Sequence, residues 1–86
     1  MTIQFTKPAE KSYKKLPLVI QKKADKAFAF LLADIHHPHP ALNSRKMGGD
    51  RFEARIDYHY RFSYEVSANS ITIRTIGMHD EGLGKK

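Results

Sequence analysis

Two spacings of hydrophobic residues divide the chain into segments that predict strands and segments that predict helices. Ile3-Gln4-Phe5 alternates between apolar and polar residues, which is typical of a short, half-buried strand. Ala9, Tyr13 and Leu16 then recur at three- and four-residue spacing, which predicts a first helix with a narrow apolar stripe. Pro17 interrupts this stripe, because proline breaks the interior of a helix.

A second, longer helix is predicted after Pro17. Its apolar residues again follow helical spacing and are Ile20, Ala24, Ala27, Phe28, Leu31 and Ile35. Thr6 or Ser12 is the candidate N-cap of the first helix. The segment His36-His37-Pro38-His39-Pro40 ends the second helix, because residues that precede proline avoid helical geometry. The two helices form a predicted hairpin whose outer side is rich in lysine.

Residues 41–50 are predicted to form a loop that closes with Gly48-Gly49-Asp50, which we interpret as a turn because it lacks the lysine and helix of a phosphate-binding P-loop. Three alternating segments follow, Arg51–Asp57, Tyr60–Val66 and Ile71–Met78. Consecutive strands joined by short turns indicate an antiparallel meander. The chain is therefore predicted to be one α+β domain, residues 1–86, with an N-terminal strand, a helical hairpin and a three-stranded antiparallel meander, the helices lying on one face of the sheet.

The face of this sheet away from the helices is predicted to be exposed and charged. Alternation directs Glu53, Arg55 and Asp57 outward from the first strand of the meander and Arg61 outward from the second. A three-residue turn, Tyr58-His59-Tyr60, keeps both outward sets on one face. In this register Asp57 lies opposite Arg61, and Arg55 lies one diagonal step away.

The last strand of the meander changes its parity. Ile71 and Ile76 cannot face the same side in a regular strand, because their positions differ by an odd number. A β-bulge near Thr75 or Gly77 would bring both to the core. The place of the bulge also decides where His79 points, and the sequence leaves both solutions open.

The charge of the chain indicates its class of partner. The 86 residues include 15 Lys and Arg against nine Asp and Glu, a formal charge of +6, which favours nucleic acid or an acidic protein segment over a merely solvated basic surface. Cysteine is absent, so a disulfide and a thiolate metal site are excluded. No apolar stretch approaches the roughly 20 residues of a membrane span, and the N-terminus shows no signal-peptide pattern. We therefore expect a cytoplasmic protein without a membrane partner.

The predicted open face carries groups that RNA cleavage without a metal requires. The 2′-hydroxyl attacks the adjacent phosphate, which needs a general base, a general acid and cations for the developing charge. Arginine matches phosphate oxygens, and histidine populates both protonation states near neutral pH. The candidate catalytic residues are Glu53, Arg55, Arg61 and His79, with His39, Asp57 and Asp80 as further acid–base candidates. The alternative is a solvated surface on which these charges pair with one another.

Basic residues outside this group are candidates for binding the RNA backbone. They are Arg45 and Lys46 in the predicted loop and Lys14, Lys15 and Lys22 on the helices. His36, His37 and His39 lie close together in the sequence, but the interleaved prolines restrict convergence of their rings. No metal or other cofactor is predicted.

Three stretches of the chain carry a family resemblance. They are RKMGGDRFEARI at residues 45–56, YRFSYEV at residues 60–66 and IRTIGMHD at residues 73–80. With the basic helical hairpin before them, they resemble the RelE/ParE superfamily of type II toxins over nearly the whole chain. The resemblance implies a toxin that cleaves mRNA, usually on the ribosome, and a cognate antitoxin protein as its partner.

The resemblance also assigns roles to individual residues. Arg61 corresponds to the phosphate-binding arginine of the family, Arg55 to a basic position on the preceding strand, and His79 to the acid–base position after the last strand. Glu53 stands where some relatives have lysine, and residues 81–86 lack the tyrosine that several relatives stack on a base. The same scaffold leaves two alternatives, a ParE-like inhibitor of DNA gyrase and a non-catalytic module that binds an antitoxin.

Overall fold

The computed structural model describes residues 1–35 and 40–78, without the side chain of Ala41. These residues form two helices and a five-stranded sheet. The elements are β1 (Thr2–Phe5), α1 (Lys7–Lys15), α2 (Leu18–Ala33), a 3-10 turn (Pro40–Leu42), β2 (Arg45–Gly48), β3 (Arg51–Arg55), β4 (Tyr60–Val66) and β5 (Ser70–Met78). The predicted α+β class, with its first strand, helical hairpin and antiparallel meander, is confirmed.

Local sequence explains where the helices begin and end. The Thr6 hydroxyl accepts a hydrogen bond from the Ala9 N–H at 3.2 Å, so Thr6 rather than Ser12 caps α1. Pro17 occupies the N-cap position of α2 and separates the two helices as predicted. No helix within the described ranges combines the length and apolar character needed to cross a bilayer.

The strand order is β1-β5-β4-β3-β2, with β2 to β5 antiparallel and β1 paired in parallel with β5. The predicted loop over residues 41–50 was wrong for Arg45–Gly48, which form the edge strand β2. This strand has only four residues, all exposed and interrupted by a register shift, so it shows no regular alternation. Gly48 and Gly49 form the predicted turn with φ values of 146° and 54°, which glycine adopts without Cβ strain.

The core lies between α2 and one face of the sheet. The buried residues of α2 are those predicted from helical spacing, Ile20, Ala24, Ala27, Phe28 and Leu31. Phe28 meets Phe62 of β4 edge to face, with ring centroids 5.1 Å apart. Tyr64 is also buried, and its hydroxyl lies 2.6 Å from that of Ser44. Burial raises the pKa of Tyr64, and the hydrogen bond with Ser44 opposes only part of that rise.

The turn between β3 and β4 differs from the predicted one. Arg55 pairs directly with Arg61, so residues 56–59 make the connection. The Asp57 carboxylate accepts hydrogen bonds from the N–H groups of His59 and Tyr60 at 2.8 and 2.9 Å, which stabilises this turn. The prediction that Asp57 lies opposite Arg61 was therefore wrong. The true partner is two residues away, an even shift, so the outward sets of both strands still share one face.

The bulge predicted in β5 is present one residue before Thr75. Ser63 pairs with Thr75 and Tyr64 pairs with Ile73, so Arg74 is the additional residue. The bulge reverses the parity of the strand and brings the apolar residues on both sides of it to the core. It also directs Arg74 toward the face of the sheet that α2 leaves uncovered, where its guanidinium meets a carboxylate of β4.

Candidate functional site

The face of the sheet opposite α2, called the open face below, holds the candidate site. Alternation along β3 directs Arg51, Glu53 and Arg55 to this face, and β4 directs Arg61 and Ser63 to it. Glu53 pairs with Ser63 and Arg55 pairs with Arg61, so the side chains form rows across the sheet. The structure thus places the two predicted arginines next to each other on one face.

Arg55 and Arg61 are opposed across the two strands, and their Nε atoms lack acceptors. Each Nε is buried and has no hydrogen-bond partner within the described residues. Two like charges in this position repel each other, and an unsatisfied buried donor costs free energy. An anionic oxygen bound by these donors would offset both costs, because guanidinium groups match the oxygens of phosphates and carboxylates. Both Nε atoms are buried, so an anion reaches them only when the two side chains rotate.

Arg61 also lines a cleft of about 500 Å³, called the arginine cleft below. Its polar lining consists of Ser12, Arg51, Arg61, Ser63, Arg74 and Thr75. Pro8 and Ser12 belong to α1, which lies alongside β5 and forms one wall, and Met47 of β2 adds an apolar contact. No carboxylate lines the cleft within the described residues. Its field is therefore positive and attracts anions.

Glu53 points to the open face, but its side chain is only 4% exposed. Arg45 of β2 covers it, with Arg45 Nε and Nη2 at 3.3 and 3.2 Å from Glu53 Oε1. The expectation that Glu53 is exposed was wrong because it required an open edge at β3, where the structure has the additional strand β2. The carboxylate is held in an ion pair, and a substrate reaches it only if Arg45 moves.

Next to the arginine pair, the open face carries neutral and compensated groups. The hydroxyls of Ser63 and Thr75 lie 2.6 Å apart, and either can donate to the other. Arg74 Nη1 lies 3.1 Å from Glu65 Oε1, and both side chains of this ion pair are partly exposed. Glu65 is the register partner of Arg51, yet its carboxylate binds Arg74. The Arg51 guanidinium has no hydrogen bond or ion pair within the described residues.

Asp57 lies in the β3–β4 turn rather than on the open face. Its carboxylate is 3.6 Å from the Lys23 ammonium of α2. Partial burial alone would raise the pKa of Asp57, but the two backbone N–H donors of the turn and the charge of Lys23 outweigh it and lower the pKa. A carboxyl group with a lowered pKa is ionised at neutral pH and cannot serve as a general acid. Arg55 reaches the same region, where it lines a cleft of about 290 Å³ beside α2.

The predicted RNA-binding residues do not form one continuous surface. Arg45 and Lys46 point to opposite sides of β2, because neighbours in a strand alternate. Lys14 forms an exposed ion pair on α1 at 3.7 Å. Lys15 borders the end of β5, and Lys22 is exposed on α2. Arg45 contacts Glu53 of the open face, and Lys15 lines a cleft together with Gly77 of β5.

Three of the acid–base candidates, His39, His79 and Asp80, lie outside the described residues, as do His36 and His37. Among the residues that the structure describes, no group of His, Asp and Glu side chains is placed to hold a metal ion. Arg51 and Arg74 were not among the residues predicted for this face. Arg51 has the parity of Arg55 and could have been assigned to the open face, whereas the position of Arg74 depends on the bulge.

Comparisons with known proteins identify the fold. No protein-family model matches the sequence, and no curated protein is similar enough to match. Solved structures do match, and the fold they share with this chain is that of the RelE/ParE toxins. The predicted fold is therefore confirmed.

Three of these structures show how close the likeness is. The YoeB/ParE toxin from Agrobacterium tumefaciens has a TM-score of 0.78 and 15% identity, over 92% of this chain and 99% of that one. The archaeal RelE–RelB complex from Pyrococcus horikoshii has a TM-score of 0.75 and 18% identity, over 94% and 97%. The E. coli DinJ–YafQ toxin–antitoxin complex has a TM-score of 0.74 and 14% identity, over 95% and 96%.

Proposed function

We propose that the protein is the toxin of a type II toxin–antitoxin system, and that it binds mRNA on its open face and cleaves it as an endoribonuclease. The observation that carries this proposal is the opposed pair Arg55 and Arg61, whose buried Nε donors have no acceptor within the described residues. RNA supplies a matching anion at every phosphate. The fold adds support, because solved structures that share it are toxins.

In the proposed reaction the 2′-oxygen of a ribose attacks the adjacent phosphorus and the bond to the 5′-oxygen breaks. The products are a 2′,3′-cyclic phosphate and a 5′-hydroxyl. Negative charge grows on the non-bridging oxygens, where Arg61 and Arg55 donate hydrogen bonds. One preorganised donor aimed at a developing oxyanion typically contributes about 10²- to 10³-fold in rate. Among the residues that the structure describes, these buried donors have no acceptor, so their side chains must rotate toward the phosphate but break no hydrogen bond of their Nε atoms.

The proton-transfer roles are assigned from the sequence. His79 follows β5, and Gly77 of that strand lies opposite Arg61. We assign the general acid to His79 and the general base to Glu53 or His39, each transfer typically worth about 10²- to 10⁴-fold in rate. Glu53 acts as a base in this scheme only after Arg45 has been drawn away by a phosphate of the substrate. The scheme uses side chains for both transfers and requires no metal.

An antitoxin is the proposed protein partner. The E. coli and P. horikoshii structures are complexes of YafQ with DinJ and of RelE with RelB. In this chain α2 exposes Leu18, Val19 and Leu32 by 68%, 64% and 44% of their surface. Lys22 and Lys23 follow Leu18 and Val19 by one helical turn, which suits an amphipathic acidic segment. Co-expression with the product of the neighbouring gene should yield a complex, and the double change Leu18→Asp and Val19→Asp should weaken it.

The toxin role is tested by induced expression in bacteria. We expect the wild-type protein to arrest growth and to stop protein synthesis first, whereas Arg61→Ala and His79→Ala relieve the arrest. Lys23→Ala is the matched control, because it removes a positive charge on α2 away from the arginine cleft. Circular dichroism and thermal unfolding must show that each variant is folded. If both variants arrest growth as strongly as the parent, this site is not the active centre.

Two further measurements separate the alternatives. A purified protein that cuts translated mRNA and leaves 2′,3′-cyclic phosphate ends supports the proposed mechanism. Arrest of DNA replication while protein synthesis continues favours a gyrase inhibitor. Binding to ribosomes or RNA without any cleavage favours a non-catalytic module.

A further inference from the structure

We propose that Arg51 forms a second phosphate site in the arginine cleft, distinct from the Arg55–Arg61 pair. A single strand of RNA would then run along the direction of β3 and β4, with different phosphates at the two ends of β3. The inference rests on the proposed function, because it specifies how the same face holds its RNA. It adds a substrate-binding residue that the sequence analysis did not identify.

The distance between the two positions is set by the strand. Arg51 and Arg55 are the first and last residues of β3 and are four positions apart. A strand rises about 3.3 Å per residue, which places their Cα atoms about 13 Å apart. Both side chains face the open side, so they mark the two ends of one track. Arg55 pairs with Arg61 at the end of β3 that lies away from Arg51.

The centre of the track presents little net charge. Glu53 is neutralised by Arg45, and its side chain is almost completely covered. The neighbouring row continues with the hydroxyls of Ser63 and Thr75, which are 2.6 Å apart. Hydroxyl groups can donate to or accept from the 2′-hydroxyl of a ribose. The middle of the track thus suits a sugar, and its two ends suit phosphates.

The bulge in β5 is what leaves Arg51 free. Without it, Glu65 would be the natural partner of Arg51, since the two are opposed in the register of β3 and β4. The bulge presents Arg74 to the same carboxylate, and the Arg74–Glu65 ion pair forms at 3.1 Å instead. Two arginines stand near one carboxylate and only Arg74 binds it, so this end of the track keeps a positive charge. Arg51 is the member whose guanidinium has no partner within the described residues.

The walls beside Arg51 favour a nucleotide over an acidic peptide. Met47 and Pro8 line the arginine cleft together with Arg51 and offer apolar contact to a base. A base that is not paired can use such surfaces, whereas a duplex keeps its bases stacked inside. An acidic peptide would also satisfy the arginines, but it has no ribose hydroxyl to pair with the hydroxyls of Ser63 and Thr75. The combination of spaced phosphates, a polar centre and apolar walls is that of single-stranded RNA.

The test is a binding experiment with the full-length protein. Short single-stranded oligonucleotides with 2′-O-methyl riboses cannot undergo attack by the 2′-hydroxyl but keep the 2′-oxygen as a hydrogen-bond acceptor for Ser63 or Thr75. Binding is therefore measured without cleavage, by fluorescence anisotropy. A series of them carries one neutral methylphosphonate linkage moved stepwise along the strand. Arg51→Ala, Arg61→Ala and Lys23→Ala are compared with the wild type, and Arg51→Lys tests whether charge at this position restores binding.

We expect Arg51→Ala to weaken binding roughly 5- to 20-fold, as loss of one partly exposed charge-assisted hydrogen bond implies, and Lys23→Ala to have little effect. For Arg51→Ala, the slope of log affinity against log salt concentration should decrease by about the amount expected for one lost phosphate contact. In each arginine variant, the methylphosphonate at one position of the strand should no longer weaken binding. That position should differ between Arg51→Ala and Arg61→Ala.

Three outcomes overturn the second phosphate site. In the first, Arg51→Ala binds RNA as tightly as Lys23→Ala does. In the second, the methylphosphonate loses its effect at the same position in both arginine variants, which means that one phosphate bridges the two arginines. Alternatively, polyglutamate displaces the oligonucleotide and no single linkage matters, which identifies an acidic peptide as the ligand. If Arg61→Ala also leaves binding unchanged, the proposed RNA-binding function fails as well. If only Arg51→Ala is without effect, that function stands.

Discussion

Replacing Arg61 with methionine should stabilise the folded protein while it removes RNA binding. The change deletes a charge and a buried donor but keeps most of the side-chain volume, so it creates no large cavity. In the wild type Arg61 stands opposite Arg55, and its Nε has no acceptor within the described residues. In the proposed function, the free-energy cost of this pair is recovered when the RNA phosphate binds.

The magnitude follows from two contributions. Like charges directly opposed across strands destabilise by about 0.2–1 kcal/mol. A buried donor without a partner costs about 1–3 kcal/mol. Because both arginines are only partly buried, solvent reduces these values, and we expect the variant to gain about 1–2 kcal/mol. In a domain of this size that gain raises the Tm by roughly 5–15 °C.

Urea denaturation and calorimetry of the purified proteins measure this difference. Arg74→Met is the matched control, since it removes an arginine of the same face that is already paired with Glu65 at 3.1 Å. We expect that control to be neutral or slightly destabilising, by at most about 1 kcal/mol, as is usual for exposed ion pairs. Added phosphate should narrow the gap between wild type and Arg61→Met, because the anion binds only the intact arginine pair.

The reasoning is refuted if Arg61→Met is less stable than the wild type with an unchanged dependence on urea concentration. Such a result would mean that the guanidinium contributes favourable packing or solvation that exceeds the cost of the opposed charges. Equal stabilisation by Arg74→Met would also refute it, because the effect would then reflect net charge rather than the Arg55–Arg61 pair.

Three other changes test separate parts of the structure. Arg45→Ala should destabilise the protein by roughly 1–3 kcal/mol, because it leaves the buried Glu53 carboxylate without its partner. In urea titrations, the double variant with Glu53→Gln should recover part of that loss. If the losses of the two single variants are additive, the ion pair is contradicted. Tyr64→Phe should cost about 0.5–1.5 kcal/mol through the lost contact with Ser44, and an unchanged midpoint would argue against that hydrogen bond. The lowered pKa of Asp57 stabilises the fold above the ordinary pKa of an aspartate, and this contribution is lost as pH falls through the lower pKa of the folded state. Asp57→Ala should therefore reduce the loss of unfolding free energy between neutral and acidic pH. If the free energy of unfolding falls with pH as steeply as in the wild type, Asp57 does not make this contribution.

The element order and much of the core could be predicted because they depend on local patterns. The apolar positions of α2 repeat with helical spacing, and each predicted member up to Leu31 is buried. The break at Pro17 follows from a property of one residue. The outward direction of Arg55 and Arg61 also follows from alternation, which is why an incorrect turn still placed both arginines on one face.

The candidate site was harder to predict because its groups depend on neighbours that are distant in the sequence. Glu53 has the parity of an exposed residue, but β2 pairs with β3 and brings Arg45 over it. β2 itself has four exposed residues and no apolar alternation, so it is recognised only by its partner. Arg51 has no ion-pair partner among the described residues because Glu65, its register partner, binds Arg74 instead.

The sequence by itself determined the alternation and helical spacing of this protein, its positive charge and the side of the sheet on which its arginines lie. These are properties of neighbouring residues and of covalent geometry. Only the tertiary structure decided the register that opposes Arg55 and Arg61, the edge strand that covers Glu53 and the bulge that pairs Arg74 with Glu65. Each of these depends on hydrogen bonds or ion pairs between segments that are distant in the sequence, and such contacts form only when those segments meet in space.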